Sequence, residues 1–106
     1  MKSGADAGGA SALSTRLIGA RPNPANPQAV IRYALAGDGP VNLKVFDVSG
    51  RVVRTLVEEI QEAAAEPYEI VWDGRDDAGR QVSSGVFFYQ LEAPGYSSAK
   101  KIVILK

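Results

Sequence analysis

Two copies of the pattern Asp-x-x-Gly-Arg, at residues 47–51 and 76–80, place an acid, a glycine and a base at the same spacing. Such an Asp can accept a hydrogen bond from a backbone N–H two residues on, and the glycine can adopt positive φ. The pattern therefore predicts two tight turns between strands. A calcium site is the chemical alternative for Asp73, Asp76 and Asp77, although their spacing differs from that of an EF-hand loop.

The residues that most often act as bases, nucleophiles and zinc ligands are absent, because the 106-residue sequence contains no His and no Cys. This excludes an imidazole base, a thiolate, a disulfide and the commonest zinc ligands. Ser83 and Ser84 have no evident Lys partner to activate them, and a chain this short lacks the long loops that build a cleft around a carboxylate pair. We therefore expect no enzyme activity, no cofactor, no metal and no small-molecule substrate.

Charge is balanced over the whole chain but unevenly distributed along it. Twelve Lys and Arg residues match twelve Asp and Glu residues, so the formal net charge is zero. Nucleic acids and anionic membranes attract a concentrated positive field, and neither is expected as the main partner. Lys100, Lys101 and Lys106 nevertheless fall in the last ten residues without an acid, whereas residues 58–69 carry five Glu and no base.

Two sets of side chains could serve either binding or structure. Arg51, Arg54, Arg75 and Arg80 could form a basic patch, although solvated turn residues are the simpler expectation. Trp72 could be a platform for stacking sugars, but the inward parity of its strand favours a core anchor.

The chain is long enough for one domain preceded by a linker. Residues 1–19 are rich in Gly, Ala and Ser and are predicted to form a flexible linker, with the folded domain at residues 20–106. Pro22, Asn23 and Pro24 begin a proline-rich stretch that holds the backbone extended. No apolar run is long enough to span a bilayer, and the N-terminus lacks the apolar stretch of a secretory signal.

Beyond the prolines, short runs of alternating apolar and polar residues are separated by turn residues about every ten positions, as in an antiparallel β-sandwich. About seven strands are predicted, so the fold class is all-β. The residues predicted for the core are Tyr33, Val45, Tyr68, Ile70, Trp72, Leu91 and Val103.

Two segments depart from the alternation. Residues 58–66 are good helix formers, and we expect a helical turn or an irregular loop there, ended by Pro67. Residues 102–105 are continuously apolar, which is typical of a strand buried on both faces.

Several sequence pieces, taken in order, carry a family resemblance. They are Pro-Asn-Pro at 22–24, Ile-Arg-Tyr-Ala-Leu at 31–35, the stretch 45–56 around Asp-Val-Ser-Gly-Arg, Val-Trp-Asp-Gly-Arg-Asp at 71–76, the stretch 84–91 around Gly-Val-Phe-Phe-Tyr, and Lys-Lys-Ile-Val-Ile-Leu-Lys at 100–106. Over residues 21–106 the chain resembles the C-terminal sorting domain (type A) of the type IX secretion system. It equally resembles the flagellar-hook-cap-type immunoglobulin-like domain.

The resemblance implies a seven-stranded immunoglobulin-like sandwich with Greek-key connections, at the C-terminus of a larger secreted hydrolase or adhesin. Such a domain directs its N-terminal cargo across the outer membrane of a Gram-negative bacterium to the cell surface. The implied partners are the outer-membrane secretion machinery and a sorting protease, which would cut near Pro22, Asn23 and Pro24 or in the linker before them.

The resemblance also implies which residues the secretion machinery recognises. They belong to the final strand, to the strand that begins at Gly85 and to the turn at Gly50. The residues implied are Gly50, Arg51, Gly85, Phe87, Tyr89, Lys100, Lys101 and Lys106.

Two other functions remain open from the residues. A binding module for polysaccharide or protein needs exposed aromatic rings; if Trp72, Phe87 and Tyr89 are buried, the rings that remain are Phe46, Phe88 and Tyr96. A structural spacer or assembly domain would dock to a sister domain or to a second copy, and we expect a monomer or a weak dimer.

Overall fold

The computed structural model describes residues 14–106, in which seven strands form two antiparallel sheets without a helix. The three-stranded sheet has the order β1-β2-β5, with β1 at Arg16–Arg21, β2 at Ala29–Ala34 and β5 at Tyr68–Trp72. The four-stranded sheet has the order β4-β3-β6-β7, with β3 at Gly39–Phe46, β4 at Val52–Gln61, β6 at Gly85–Ala93 and β7 at Tyr96–Ile104. No helix capable of crossing a membrane occurs in this part of the chain.

The chain changes sheets between β2 and β3, between β4 and β5, and between β5 and β6. As a result β6 returns to lie beside β3 instead of beside β4 or β5, which is a Greek-key arrangement. The predicted all-β, seven-stranded immunoglobulin-like sandwich is confirmed.

The core lies between the inner faces of the two sheets. Trp72 is fully buried and meets Phe87 edge to face, with ring centroids 5.6 Å apart. The indole N–H of Trp72 donates to the carbonyl of Arg75 at 2.9 Å, so the one polar atom of this ring is satisfied. Of the residues predicted for the core, Tyr33, Val45, Trp72 and Leu91 are buried, and Tyr68 and Ile70 are partly buried against them.

Residues 58–61 belong to β4, so the predicted helical turn or loop is wrong over this part of the 58–66 segment. Gln61 is paired with Gly39 of β3 and is buried, and Tyr33 Oη donates to its Oε1 at 2.6 Å. Pairing with β3 and this contact override the helix propensity of the local sequence. Burial disfavours the phenolate and raises the pKa of Tyr33 to about 12.

The folded domain begins earlier than the sequence predicts, because β1 starts at Arg16, inside the predicted 1–19 linker. Leu17 and Ala20 of this strand are buried and pair with Tyr33 and Ile31 of β2. A register shift between Leu17 and Gly19 breaks the alternation that would have revealed the strand. Residues 1–13 of the predicted linker lie outside the described residues.

The prediction that Val103 belongs to the core is wrong. Ile102 and Ile104 of β7 are fully buried, and Val103 points to the outer face, where it pairs with Val86. The last strand is therefore buried on one face only, because a single sheet covers it.

Candidate functional site

The two Asp-x-x-Gly-Arg motifs form the same turn at the same end of the sandwich. Asp47 Oδ1 accepts hydrogen bonds from the backbone N–H of Ser49 at 2.9 Å and of Arg51 at 3.1 Å. Asp76 Oδ1 does the same for Ala78 at 3.0 Å and Arg80 at 2.9 Å. Both turn glycines have the positive φ that the motif predicts, 88° at Gly50 and 86° at Gly79.

These bonds keep the turn carboxylates ionised. The Ser49 hydroxyl and the surrounding N–H groups lower the pKa of Asp47 to about 2. The backbone N–H of Arg80 likewise lowers the pKa of Asp76 below its usual value. Both acids are therefore negatively charged at any physiological pH, and each is committed to its own turn.

The acids considered for calcium are held apart by their partners. Asp73 accepts from the N–H of Arg75 at 3.0 Å, and Asp77 accepts from the N–H of Thr55 at 3.0 Å. Within residues 14–106, no three acidic side chains gather in a way that could hold a metal ion.

The four arginines at this end divide into two pairs. Arg54 donates to the carbonyl of Arg75 at 3.2 Å and contacts Asp73, and Arg75 donates to the carbonyl of Gly79 at 2.9 Å. This first pair links β4 to the loop after β5. In the second pair, Arg51 and Arg80 have side chains that are 83% and 81% exposed, and each contacts the Asp of its own turn through Nε.

The two turns border one cleft of about 550 Å³. Its lining combines apolar, acidic and basic side chains, which include Val52, Val53, Val82 and Phe87, the acids Asp47, Asp76 and Asp77, and both exposed arginines. The sequence marks each turn separately, and the packing of the loop after β5 against β4 brings them together. The N–H of Asp77, for example, donates to the carbonyl of Val53 at 2.9 Å.

β7 lies at the edge of the four-stranded sheet, and residues 23–25 cover part of that edge. Asn23 donates from Nδ2 to the carbonyl of Lys101 and accepts at Oδ1 from the N–H of Val103, both at 3.0 Å. The N–H of Ala25 donates to the carbonyl of Val103 at 2.8 Å, and the N–H of Leu105 donates to the carbonyl of Ala25 at 2.7 Å. The predicted processing residues Pro22, Asn23 and Pro24 are thus part of a segment fastened to the last strand.

The residues implied for recognition do not all reach the surface. Lys100, Lys101 and Lys106 are exposed, as are Gly50 and Arg51 in the first turn. Gly85 begins β6 opposite Ile104, whereas the side chains of Phe87 and Tyr89 are buried and cannot contact a partner directly.

The outer face of the four-stranded sheet brings Lys101, implied for recognition, next to two of the rings that remain available for binding, Phe46 and Phe88. Val52, Phe46, Phe88 and Lys101 form a row across all four strands. Phe88 is 37% exposed, so this row is an apolar strip that ends in a cation. The alternation in β6, with Phe87 and Tyr89 inward, is the signal that places Phe88 outward.

The chain is similar to proteins whose family or structure is known. The family model described as FlgD Ig-like domain matches residues 26–98. The crystal structure of dimeric latent PorU from Porphyromonas gingivalis is similar, with a TM-score of 0.69 and 26% sequence identity. The match covers 86% of this chain and 9% of the PorU chain, so this chain spans less than a tenth of that protein. No curated protein sequence matches this one.

Proposed function

Because the chain belongs to the FlgD Ig-like domain family, whose fold is non-catalytic, we propose that it is a C-terminal sorting and cell-surface attachment domain. It directs a larger secreted protein, such as a hydrolase or an adhesin, through the type IX secretion system. Its partners are the outer-membrane secretion machinery, a sorting protease and the cargo domain that precedes it.

The position of β7 is the observation that carries this proposal. The strand lies at a sheet edge, and Lys100, Lys101 and Lys106 on and beside it are exposed. Residues 23–25 pair with the edge from Lys101 onward, and within residues 14–106 no strand is paired with the earlier part, although Leu17 of β1 contacts the Tyr96 hydroxyl there. An unpaired edge with flanking cations can accept a strand from a receptor, which is a common mode of peptide recognition.

The match to PorU supports the proposal because it covers most of this chain but only a small part of the PorU chain. A fold equivalent to this chain makes up only 9% of the PorU chain, so the same sandwich occurs as one part of a much longer protein. A sorting domain attached to a larger cargo protein would have this arrangement. The match comes from Porphyromonas gingivalis, a Gram-negative bacterium, and supports the proposal that this protein reaches the surface of a Gram-negative cell.

Of the two predicted places for proteolytic removal, we favour the linker that precedes β1 over Pro22, Asn23 and Pro24. A protease needs an accessible, extended backbone. The side-chain amide of Asn23 is instead hydrogen-bonded to β7 through both its nitrogen and its oxygen. A cut at residues 22–24 would also break the covalent connection between the rest of the sandwich and β1, which carries buried Leu17.

Surface display of a fluorescent protein fused to the N-terminus of the 106-residue chain, in a bacterium with a type IX system, tests the proposal. The test variant is Lys100→Ala/Lys101→Ala/Lys106→Ala, which leaves Ile102 and Ile104 in the core. The control variant, Arg16→Ala/Arg21→Ala/Lys44→Ala, removes the same number of cations from other strands.

We expect display of the parent and control fusions and loss of display for the test variant, with all three folded. Retention of the folded parent fusion in the periplasm would contradict the sorting function. Equal display of test and parent fusions would show that the lysines beside the edge do not carry the signal.

A polysaccharide-binding module is the weaker candidate because the large rings are used in the core. Trp72, Phe87 and Tyr89 are buried, and the hydroxyl of Tyr96 accepts from the N–H of Leu17 at 2.8 Å. Phe46 and Phe88 are left as neighbours on the outer face. Two adjacent rings make a small platform for stacking sugars.

A further inference from the structure

The four-stranded sheet has two edges of opposite charge. β4, at one edge, carries exposed Glu58 and Glu59, and β7, at the other edge, carries exposed Lys100 and Lys101. We propose that β7 of one chain pairs with β4 of a second copy, so that copies join head to tail through a continued sheet. This contact does not depend on the sorting function, although a receptor strand would compete with the second copy for β7.

β4 is covered along its first part and open along its second. The carbonyl of Val53 accepts from the N–H of Asp77 at 2.9 Å, and the N–H of Thr55 donates to the carboxylate of Asp77 at 3.0 Å. Residues 57–61, the open segment of β4, pair with β3 and with no other strand of the described chain. One side of this backbone is therefore available to another strand.

The open segment of β7 lies at the same end of the sheet. Residues 23–25 pair with β7 from Lys101 onward, whereas residues 96–100 pair with β6 alone among the described strands. A row of paired residues runs from Glu58 of β4 through β3 and β6 to Ser97 of β7. The two open segments are therefore level with each other and equal in length.

The strand directions allow the sheet to repeat. Neighbouring strands are antiparallel throughout, so β4 and β7 run in opposite directions. A second copy placed beside the first in the same orientation therefore meets it with an antiparallel β7–β4 pair. Because each copy contributes a different surface, the contact is heterologous, and assembly can continue beyond two chains.

Opposite charges meet when the two open segments pair along their full length. Glu58 then becomes the diagonal neighbour of Lys101 on the outer face of the continued sheet. Glu59 becomes the diagonal neighbour of Lys100 on the inner face. Long side chains at diagonal positions are within reach of each other.

The four charges are available for this contact. Within residues 14–106 none of them takes part in a salt bridge, and Glu59 accepts a hydrogen bond from the neutral amide of Gln61 at 3.0 Å. Pairing of two β4 edges would oppose Glu to Glu, and pairing of two β7 edges would oppose Lys to Lys. Since like charges across a strand pair are destabilising, closed dimers through either edge are disfavoured.

Ile60 adds an apolar contribution at the open segment of β4. Its side chain is 77% exposed, and an apolar side chain exposed on an edge strand favours pairing with another strand. The contact between two short segments is nevertheless small. We therefore expect weak association that falls with added salt.

Sedimentation equilibrium of the 106-residue chain at low salt and at concentrations up to about 1 mM tests the proposal. The β4 variant is Glu58→Lys/Glu59→Lys, and the β7 variant is Lys100→Glu/Lys101→Glu. Each variant alone places like charges on both sides of the junction. In a mixture, chains of the two variants can alternate with opposite charges at every junction.

The control variant is Arg21→Glu/Arg80→Glu, which makes the same change of charge as the β7 variant at exposed positions outside both edge strands. Thermal melts verify that every variant folds. We expect the average mass of the parent and of the control to rise beyond twice that of a single chain. The rise should be lost in each edge variant alone and regained in their equimolar mixture.

A mass that stops at twice that of a single chain would overturn the head-to-tail contact in favour of a closed dimer. Absence of association of the parent at about 1 mM would also overturn it. So would association of either edge variant equal to that of the parent, or a mixture that associates no more than its two components.

Discussion

At one end of the sandwich, Asp47 and Asp76 fasten turns through backbone N–H groups no more than four residues away. At the other end, Tyr33 reaches Gln61 across 28 positions of sequence. The first end is built from contacts that the local sequence encodes, and the second from a contact that exists only after two sheets have come together. The comparison shows that the Asp turns can form from local sequence alone, whereas the Tyr33–Gln61 end is ordered only when the two sheets pack together.

The largest expected effect concerns Trp72, whose indole links the core to the turn end through the carbonyl of Arg75. We expect Trp72→Ala to lower the free energy of unfolding by about 3–5 kcal/mol, from the lost burial and the cavity left behind. Urea denaturation followed by circular dichroism measures this value. A loss below about 1 kcal/mol would mean that this ring does not link the core to the turn end.

A smaller effect is expected from Tyr33→Phe, which leaves buried Gln61 without its tyrosine donor. Because an unsatisfied buried polar group costs about 1–3 kcal/mol, we expect a loss of that size in urea denaturation. The double variant Tyr33→Phe/Gln61→Leu removes both partners and should recover most of it. If the single and double variants are equally unstable, the hydrogen bond between Tyr33 and Gln61 is not what stabilises this end of the sandwich.

The smallest effect is expected at the turn end, where Asp47 is exposed. Its folded pKa of about 2 lies below the usual value, so its stabilising effect is complete above about pH 4 and is lost as the pH falls toward 2. Asp47→Asn should therefore melt at a lower temperature than the parent at pH 7. The two melting temperatures should converge near pH 2. A difference that persists at pH 2 would show that charge on Asp47 is not its cause.

The features that could be predicted are those that the sequence encodes locally. The Asp and Gly of each turn stand within five residues of each other, and the alternation around Trp72 fixes which face of β5 is buried. The strand from Glu58 to Gln61 could not be predicted because its stability comes from β3. The run ending at Leu105 is apolar at every position from Ile102, so it contains no parity from which to assign Val103.

The candidate site was only partly predictable for the same reason. The exposed arginines of the two turns can be read from the repeated motifs in the sequence. The cleft that they share depends on the packing of the loop after β5 against β4, which neither motif encodes. The contact between Asn23 and the last strand joins positions 78 and 80 apart, and the proline-rich stretch alone does not indicate it. Residues that act through distant partners need the fold before they can be assigned.

The bridge between Ala25 and Ile104 is parallel, and this has a mechanical consequence. When the chain is pulled from both termini, residues 23–25 are drawn in one direction and the end of β7 in the opposite direction. The four hydrogen bonds between them then bear the force in parallel, as in shear. In unzipping, by contrast, the bonds would break one after another. A chain under tension from both ends therefore loads this junction in shear, after the β1–β2 pairs that precede it along the chain.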